Sequence, residues 1–315
     1  MVGADRALRD EGRVALGGRA GGPVVMRGKR ILGVGAFAAT LAAGTPAAVA
    51  HSVQARAGVR YVALGDSFTA GPGIPKQHGK PAGCRRSNRN YPSLVAAQLK
   101  MRLTDVSCTG ARIRHLTESQ RTSSGTNPPQ LNALRRDTTL VTVGIGGNDI
   151  GFGEIALKCG VLSVTSPNGA PCATRYADTF NERPDRIRPL IGDMLRRIRA
   201  RAPRARVLVV GYLRLLPEKR GCWPAVPVAQ GDLAFLDALE RDLNRVLAEQ
   251  ARAHGAMFVD AYRGGEGHDM CAPAQRRWVE GVLSAKNAAP IHPNAAGMRE
   301  VADRVVRTLA RLEQV

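Results

Sequence analysis

Tyr61-Val62-Ala63-Leu64-Gly65-Asp66-Ser67-Phe68-Thr69-Ala70-Gly71 is the stretch that decides the fold. Its first four residues form an apolar run, and Gly65-Asp66 ends it. A short unbroken apolar run suits a strand buried on both faces, as in parallel sheets. A strand that stops at Gly-Asp-Ser leaves the Ser67 hydroxyl at the C-terminal edge of the sheet, where open α/β sheets bind ligands. Ser67 is therefore the candidate nucleophile. Gly-Asp-Ser is also ordinary turn chemistry, so the assignment depends on what else the chain supplies.

Similar runs recur at 140–145, 207–210 and 257–259, with a weaker one at 105–107 and the first spanning 59–64. Helical patterns separate them. Residues 91–103 carry Leu94, Val95 and Leu99 at helical spacing. Residues 185–200 carry Ile187, Leu190, Ile191, Met194, Leu195 and Ile198, with Pro189 marking the first regular turn. Residues 232–253 carry Leu236, Leu239, Leu243, Val246 and Leu247, with Asp232 as N-cap and Gly255 just beyond the end. Residues 294–312 place Met298, Val301, Ala302, Val305 and Leu309 on one face. Strand-helix alternation of this kind predicts an α/β fold, a doubly wound, mostly parallel five-stranded sheet flanked by helices. No linker divides it, so 51–315 reads as one domain, with 51–58 as a short leader. Gly- and Pro-rich stretches at 71–83, 163–172 and 216–231 read as loops over one face.

The first 50 residues read differently. Met26-Arg27-Gly28-Lys29-Arg30 is basic, 31–44 is apolar and uncharged, and Ala48-Val49-Ala50 presents small residues. That order predicts a signal peptide over 26–50, cleaved after Ala50, with an exported mature chain. The uncharged run is barely long enough to span a membrane and is broken by Gly44, Thr45 and Pro46. Residues 1–25 match nothing, which makes Met26 a candidate start. The chain carries a net charge of +20. The first 50 residues contribute a net +4, leaving +16 beyond them. Such a surface suits anionic interfaces, although many arginines alongside many alanines and glycines also fit GC-rich coding. No nucleic-acid partner is expected, and the protein reads as a monomer. Cys84, Cys108, Cys159, Cys172, Cys222 and Cys271 all lie beyond residue 50. An even number of cysteines in an exported chain predicts disulfides. No Cys-x-x-Cys pair or Cys/His cluster argues for a metal, and no cofactor is expected.

A nucleophilic serine needs a base and an oxyanion site. Histidine titrates near neutrality and is the natural base. Of His78, His115, His254, His268 and His292, the last stands out. It precedes the C-terminal helix in Ala289-Pro290-Ile291-His292-Pro293-Asn294, a loop that can lie beside the first strand's end. Two other strand ends offer oxyanion donors: Gly110 in Ser107-Cys108-Thr109-Gly110-Ala111, and Asn148 in Gly146-Gly147-Asn148-Asp149. Taken singly, each is as easily a simple turn. Asp66 and Asp149 read as turn-bracing residues.

Ser67, Gly110, Asn148 and His292, in that order at successive strand ends, resemble the four blocks of the SGNH hydrolase family, also called GDSL esterases and lipases. The resemblance covers 59–312, and within the family the chain looks like the secreted bacterial lipases and esterases with six cysteines. Trp278-Val279-Glu280-Gly281 looks like that subgroup too. The resemblance implies an SGNH hydrolase-like fold with three disulfides, Cys84–Cys108, Cys159–Cys172 and Cys222–Cys271. It implies a Ser67–His292 acyl-enzyme mechanism, with the oxyanion held by Ser67 N–H, Gly110 N–H and Asn148. The family usually has Asp three residues before the histidine, and here that residue is Ala289. A backbone carbonyl near Ala289 is the expected orienting group, with Asp269 and Glu280 as remote carboxylate alternatives.

The expected activity is therefore that of a secreted, metal-independent serine esterase or lipase acting on an ester or lipid substrate. Phospholipase, aryl esterase and polysaccharide deacetylase are alternatives within the same chemistry. A basic exported protein that binds a polyanion or lipid without catalysis is the alternative outside it. Leu213, Leu215 and Leu216 are candidate acyl contacts, with strand-end packing as the competing explanation.

Overall fold

Arg60–Gly65 forms strand β1, the second of five strands in the sheet, and ends just before Ser67. The structure is a computed structural model that describes residues 58–283 and 287–311. The signal-peptide reading over 26–50, its cleavage point and nearly all of the 51–58 leader lie outside the described residues. β2 (Arg102–Asp105), β3 (Leu140–Gly144), β4 (Arg206–Val210) and β5 (Met257–Val259) complete the sheet in the order β2-β1-β3-β4-β5. Every pairing is parallel. The chain runs from β1 outward to β2, then returns to add β3 on the other side of β1. The order thus reverses between β1 and β3, the switch point at which such sheets leave a ligand crevice beyond the strand ends.

Alternate strand residues feed two cores. Tyr61, Ala63, Leu208 and Val210 belong to one, and Val62, Leu64, Val207 and Val209 to the other. Burial on both faces is why these strands read as unbroken apolar runs. On the first face lie α1 (Tyr91–Gln98) and α6 (Ala295–Arg311), through Val95, Met298, Val301 and Leu309. The other face is covered by α4 (Arg188–Arg201), through Ile191, Leu195 and Ile198. Helix α5 (Leu233–Ala253) supplies Leu236 and Leu239 to the first core and Leu243 and Leu247 to the second.

The doubly wound, five-stranded prediction holds, with local corrections. The second strand lies at 102–105 rather than 105–107. Its pattern alternates exposed and half-buried residues, because it is an edge strand without a continuous apolar run. Asp105 accepts bonds from both the Ser107 N–H and its hydroxyl, which turns the chain out of the sheet there. The helix predicted over 91–103 stops at Gln98, and Lys100 adopts φ +52° before β2 begins. The loop predicted over 163–172 is shorter, 166–170, because α2 (Phe152–Thr165) and α3 (Pro171–Asn181) take its two ends. Asp232 does not cap its own helix with its side chain. It accepts from the N–H groups of Cys172 (3.0 Å) and Ala173 (2.8 Å), capping α3 from a distance. Disulfides join Cys84 to Cys108, Cys159 to Cys172, and Cys222 to Cys271.

Candidate active site

The Ser67 turn is fixed by groups that converge on the end of β1. Ser67 opens a one-turn helix, Ser67–Ala70, and Asp66 caps it by accepting the Phe68 N–H at 2.9 Å. Gly65 has no room for a side chain: a Cβ there would sit 2.3 Å from Thr69 Oγ1 and 2.5 Å from the Gly144 carbonyl oxygen. Gln130, fully buried, accepts the Gly65 N–H at 2.8 Å and donates to the Gly65 carbonyl at 2.9 Å. Cys108 N–H also donates to that carbonyl, at 3.0 Å, tying the turn after β2 to the end of β1.

His292 reaches this turn from the other end of the chain. Its Nε2 lies 2.8 Å from Ser67 Oγ. Its Nδ1 lies 2.7 Å from the carbonyl oxygen of Pro290. The orienting carbonyl thus belongs to Pro290 rather than to Ala289, whose own carbonyl accepts the His292 N–H. The ring needs an acceptor in its own plane, and the turn at 289–292 offers the carbonyl two residues back. Neither remote carboxylate takes that bond. Glu280 is buried against Arg277 (3.1 Å) and the Asn294 amide (3.0 Å), and Asp269 accepts the Cys271 N–H.

The histidine loop is held on several sides. Glu280 N–H donates to the His292 carbonyl and Ile291 N–H to the Glu280 carbonyl, extending a bridge between Val279 and Pro293. Asn294 caps α6 by accepting from Ala296 and Gly297. Ala289 N–H donates to the Pro72 carbonyl at 2.8 Å. Gly73, at φ +81°, packs so closely there that a Cβ would lie 2.5 Å from the Ala289 nitrogen. The 71–83 stretch therefore supports the histidine loop. Burial, reinforced by Arg85, lowers the His292 pKa below its usual 6.5, against the Pro290 carbonyl, which raises it.

Asn148 follows β3 in the one-turn helix Gly147–Ile150. One of its two amide protons goes to the Ala111 carbonyl at 2.9 Å. Asp149 accepts the Ile113 N–H (3.0 Å) with the same loop, so it braces the segment after Gly110 rather than its own turn. Burial raises the Asp149 carboxyl to about 6. Gly110 lies in that neighbouring loop and is absent from the residues lining the cavity described below.

A strut that the sequence does not advertise crosses between the two turns. The Gly147 N–H donates to the Tyr212 hydroxyl at 2.7 Å, and Tyr212 donates to Asp66 Oδ2 at 2.5 Å. Asn244 clamps the Tyr212 backbone through both its amide groups, and the Phe68 ring packs edge-on against Tyr212. Burial raises Asp66 to about 7, opposed by the Tyr212 and Phe68 donors. Burial and the Asp66 charge together push the Tyr212 phenol well above 10, so it remains a donor.

Ser67, Asn148 and His292 line one cavity of about 610 Å³. Its other walls are apolar: Ile155, Leu157 and Val161 of α2, Leu215, Leu216 and Val226 beyond β4, and Leu236 and Leu239 of α5. Leu215 and Leu216 are therefore cavity contacts, and Leu213 is not among them. Glu240 also borders the cavity; burial raises its carboxyl, and one oxygen accepts the Leu215 N–H. Among the described residues, no group of three or more His, Cys, Asp or Glu is arranged to hold a metal ion. A hydroxyl hydrogen-bonded to an imidazole in the wall of an apolar cavity is equipped for nucleophilic attack on a carbonyl.

Comparison with known proteins agrees with this chemistry. The pattern of the GDSL-like Lipase/Acylhydrolase family matches residues 63–300. Lipase 2 of Streptomyces coelicolor is 37% identical over 277 residues, 86% of this chain and 93% of that protein. An esterase of Streptomyces scabiei is 30% identical, covering 88% of this chain and 94% of that protein. Among solved structures, a phospholipase A1 from Streptomyces albidoflavus matches with a TM-score of 0.67 at 27% identity, over 80% of this chain and 99% of that one. An extracellular lipase from Streptomyces rimosus matches with a TM-score of 0.67 at 28% identity, over 79% of this chain and 99% of that one. The chain belongs to the GDSL-like lipase/acylhydrolase family.

Proposed function

We propose that the protein is a secreted serine esterase of the lipase type that cleaves carboxylic esters of apolar acids through an acyl-enzyme. The observation that carries this is the 2.8 Å contact between Ser67 Oγ and His292 Nε2 in the wall of the apolar cavity. His292 takes the hydroxyl proton as Oγ attacks the ester carbonyl. The Pro290 carbonyl holds the Nδ1 proton and so keeps Nε2 free to accept. The tetrahedral oxyanion is stabilised by the N–H groups of Ser67 and Gly110 and by the second amide proton of Asn148. Imidazolium returns the proton to the leaving alkoxide. A water deprotonated by His292 then releases the acid. Three disulfides and the likeness to an extracellular lipase support export.

The cavity's size and apolar lining favour a long acyl chain over an acetyl group, which argues against polysaccharide deacetylation. A phospholipid ester is a second reading, favoured by the likeness to a phospholipase A1. The test is turnover of p-nitrophenyl esters of graded chain length by wild-type and Ser67→Ala protein, with labelling by a serine-directed phosphonate. Turnover rising with chain length, abolished in the variant and accompanied by labelling at Ser67 is the expected result. Retained turnover in Ser67→Ala overturns it.

A further inference from the structure

Large apolar side chains exposed on the described surface are not scattered. Leu157, Val161 and Val164 are 69%, 63% and 66% exposed and sit at i, i+4 and i+7 on α2. All three also line the cavity that contains Ser67. Leu283, 72% exposed, follows the cavity residue Val282, and its N–H donates to the Ala225 carbonyl (3.5 Å) beside exposed Trp223. Leu190, on α4, is the exception. An apolar patch gathered around one opening marks a binding surface.

The helix that carries the stripe is fastened beneath it. Ile155, Cys159 and Ser163 bury the opposite face, and the Cys159–Cys172 disulfide joins α2 to α3. The outer stripe is therefore a standing feature of the fold, held in place by its buried side.

We propose that this rim is a docking surface for lipid bearing anionic headgroups, with α2 lying in the interface and the cavity mouth facing the acyl layer. Two features select lipid over a protein partner. The exposed side chains are continuous with a cavity fitted to an acyl chain, so a chain leaving the lipid enters without crossing water. Exposed Lys219 and Arg220 outnumber exposed Glu218 on the 216–231 loop that carries Trp223, and the chain is strongly cationic, which suits phosphate headgroups. This deepens the proposed function, since it specifies aggregated lipid as the form in which the ester is met.

Binding can be read without turnover. Ser67→Ala protein is sedimented with vesicles of phosphatidylcholine containing about one-third phosphatidylglycerol, and with pure phosphatidylcholine. It should bind the mixed vesicles, and brominated acyl tails should quench its tryptophan fluorescence through Trp223. Leu157→Ser/Val161→Ser/Leu283→Ser in the same background should bind at least about tenfold more weakly, and Leu190→Ser within about twofold of its parent. Unchanged near-ultraviolet circular dichroism would show that the triple variant is folded. Absence of binding by Ser67→Ala protein overturns the proposal. Binding that needs phosphatidylglycerol but is unaffected by the triple change also overturns it, since such binding is electrostatic alone. A protein that binds vesicles yet hydrolyses no ester in its wild-type form would refute the proposed function and leave the docking surface standing.

Discussion

Tyr212→Phe removes one oxygen atom from the strut between the two turns of the site. That oxygen lies 2.5 Å from Asp66 Oδ2 and 2.7 Å from the Gly147 nitrogen. Tyr212 and Asp66 are 2% and 1% exposed, so water does not replace it readily. The consequence depends on pH, because burial raises Asp66 from its ordinary 3.8 to about 7. A raised carboxyl pKa means that the folded protein binds its proton more tightly than the unfolded chain does. Stability is therefore full below about pH 4 and falls as pH rises towards 7. At about 1.4 kcal/mol per pH unit, ionising this group costs on the order of 4 kcal/mol. The Tyr212 hydroxyl offsets part of that cost, since its hydrogen bond lowers the pKa.

Near pH 5 Asp66 is protonated in both proteins. The variant then leaves the Gly147 N–H without its acceptor, a loss of about 1–3 kcal/mol. Near pH 8.5 it also loses a bond to an ionised carboxylate, about 1.5–3 kcal/mol more. The destabilisation measured by urea unfolding, disulfides intact, should therefore grow by about 1.5–3 kcal/mol between those pH values. Freed from the strut, the Asn148 turn should loosen, lowering kcat about tenfold with KM little changed. Equal destabilisation at both pH values would refute the argument that the phenol serves Asp66. An unchanged kcat would refute the claim that it positions Asn148.

Asn148→Ala should lower kcat by about 10²–10³ with KM within about twofold, as expected for loss of one oxyanion donor; steady-state kinetics on a soluble p-nitrophenyl ester will show it. Ala289→Asp should change kcat less than about threefold, because Pro290 already occupies Nδ1; a large gain would mean that the carbonyl is a poor substitute for a carboxylate. The ascending limb of kcat/KM against pH should be centred below 6.5, since burial holds His292 down and activity appears as the ring loses its proton; a midpoint above 6.5 would contradict that.

Much of the sheet is legible in the chain because burial on both faces of its inner strands writes it there. The inner strands β1, β3 and β4 fall on near-continuous apolar runs, and β5, an edge strand with two of its three residues half-buried, is legible from the short run Met257-Phe258-Val259. β2 is an edge strand whose Arg102 and Thr104 alternate with half-buried Leu103, and its run is misplaced by three residues. Helices α4, α5 and α6 have one apolar stripe each and are legible for that reason. α2 is not, because Leu157, Val161 and Val164 oppose Ile155 and Cys159 and erase the contrast between faces. The feature that hides this helix from a periodicity argument is the one that points to a lipid surface.

The site divides in the same way. Ser67, Asn148 and His292 announce themselves because each stands in a turn that a strand or helix boundary requires. Gln130, Tyr212 and Asp232 do not, since each acts on a segment 59 or more residues away in sequence. Nothing local to Gln130 says that it will clamp Gly65. The residue that orients His292 is the intermediate case. The missing Asp at 289 shows that a substitute is needed, but which carbonyl serves depends on how the 289–292 turn closes. Pro290 lacks an N–H and keeps φ near −65°, and Ile291 takes φ +63°. That sequence of angles folds the ring back over the Pro290 carbonyl. The histidine is thus held by the shape of its own loop, and what positions the loop is its pairing with Val279 and Glu280 and its contact with Pro72 and Gly73. Backbone geometry stands where the family resemblance expects a carboxylate, and the burden of keeping that geometry falls on residues that never touch the ring.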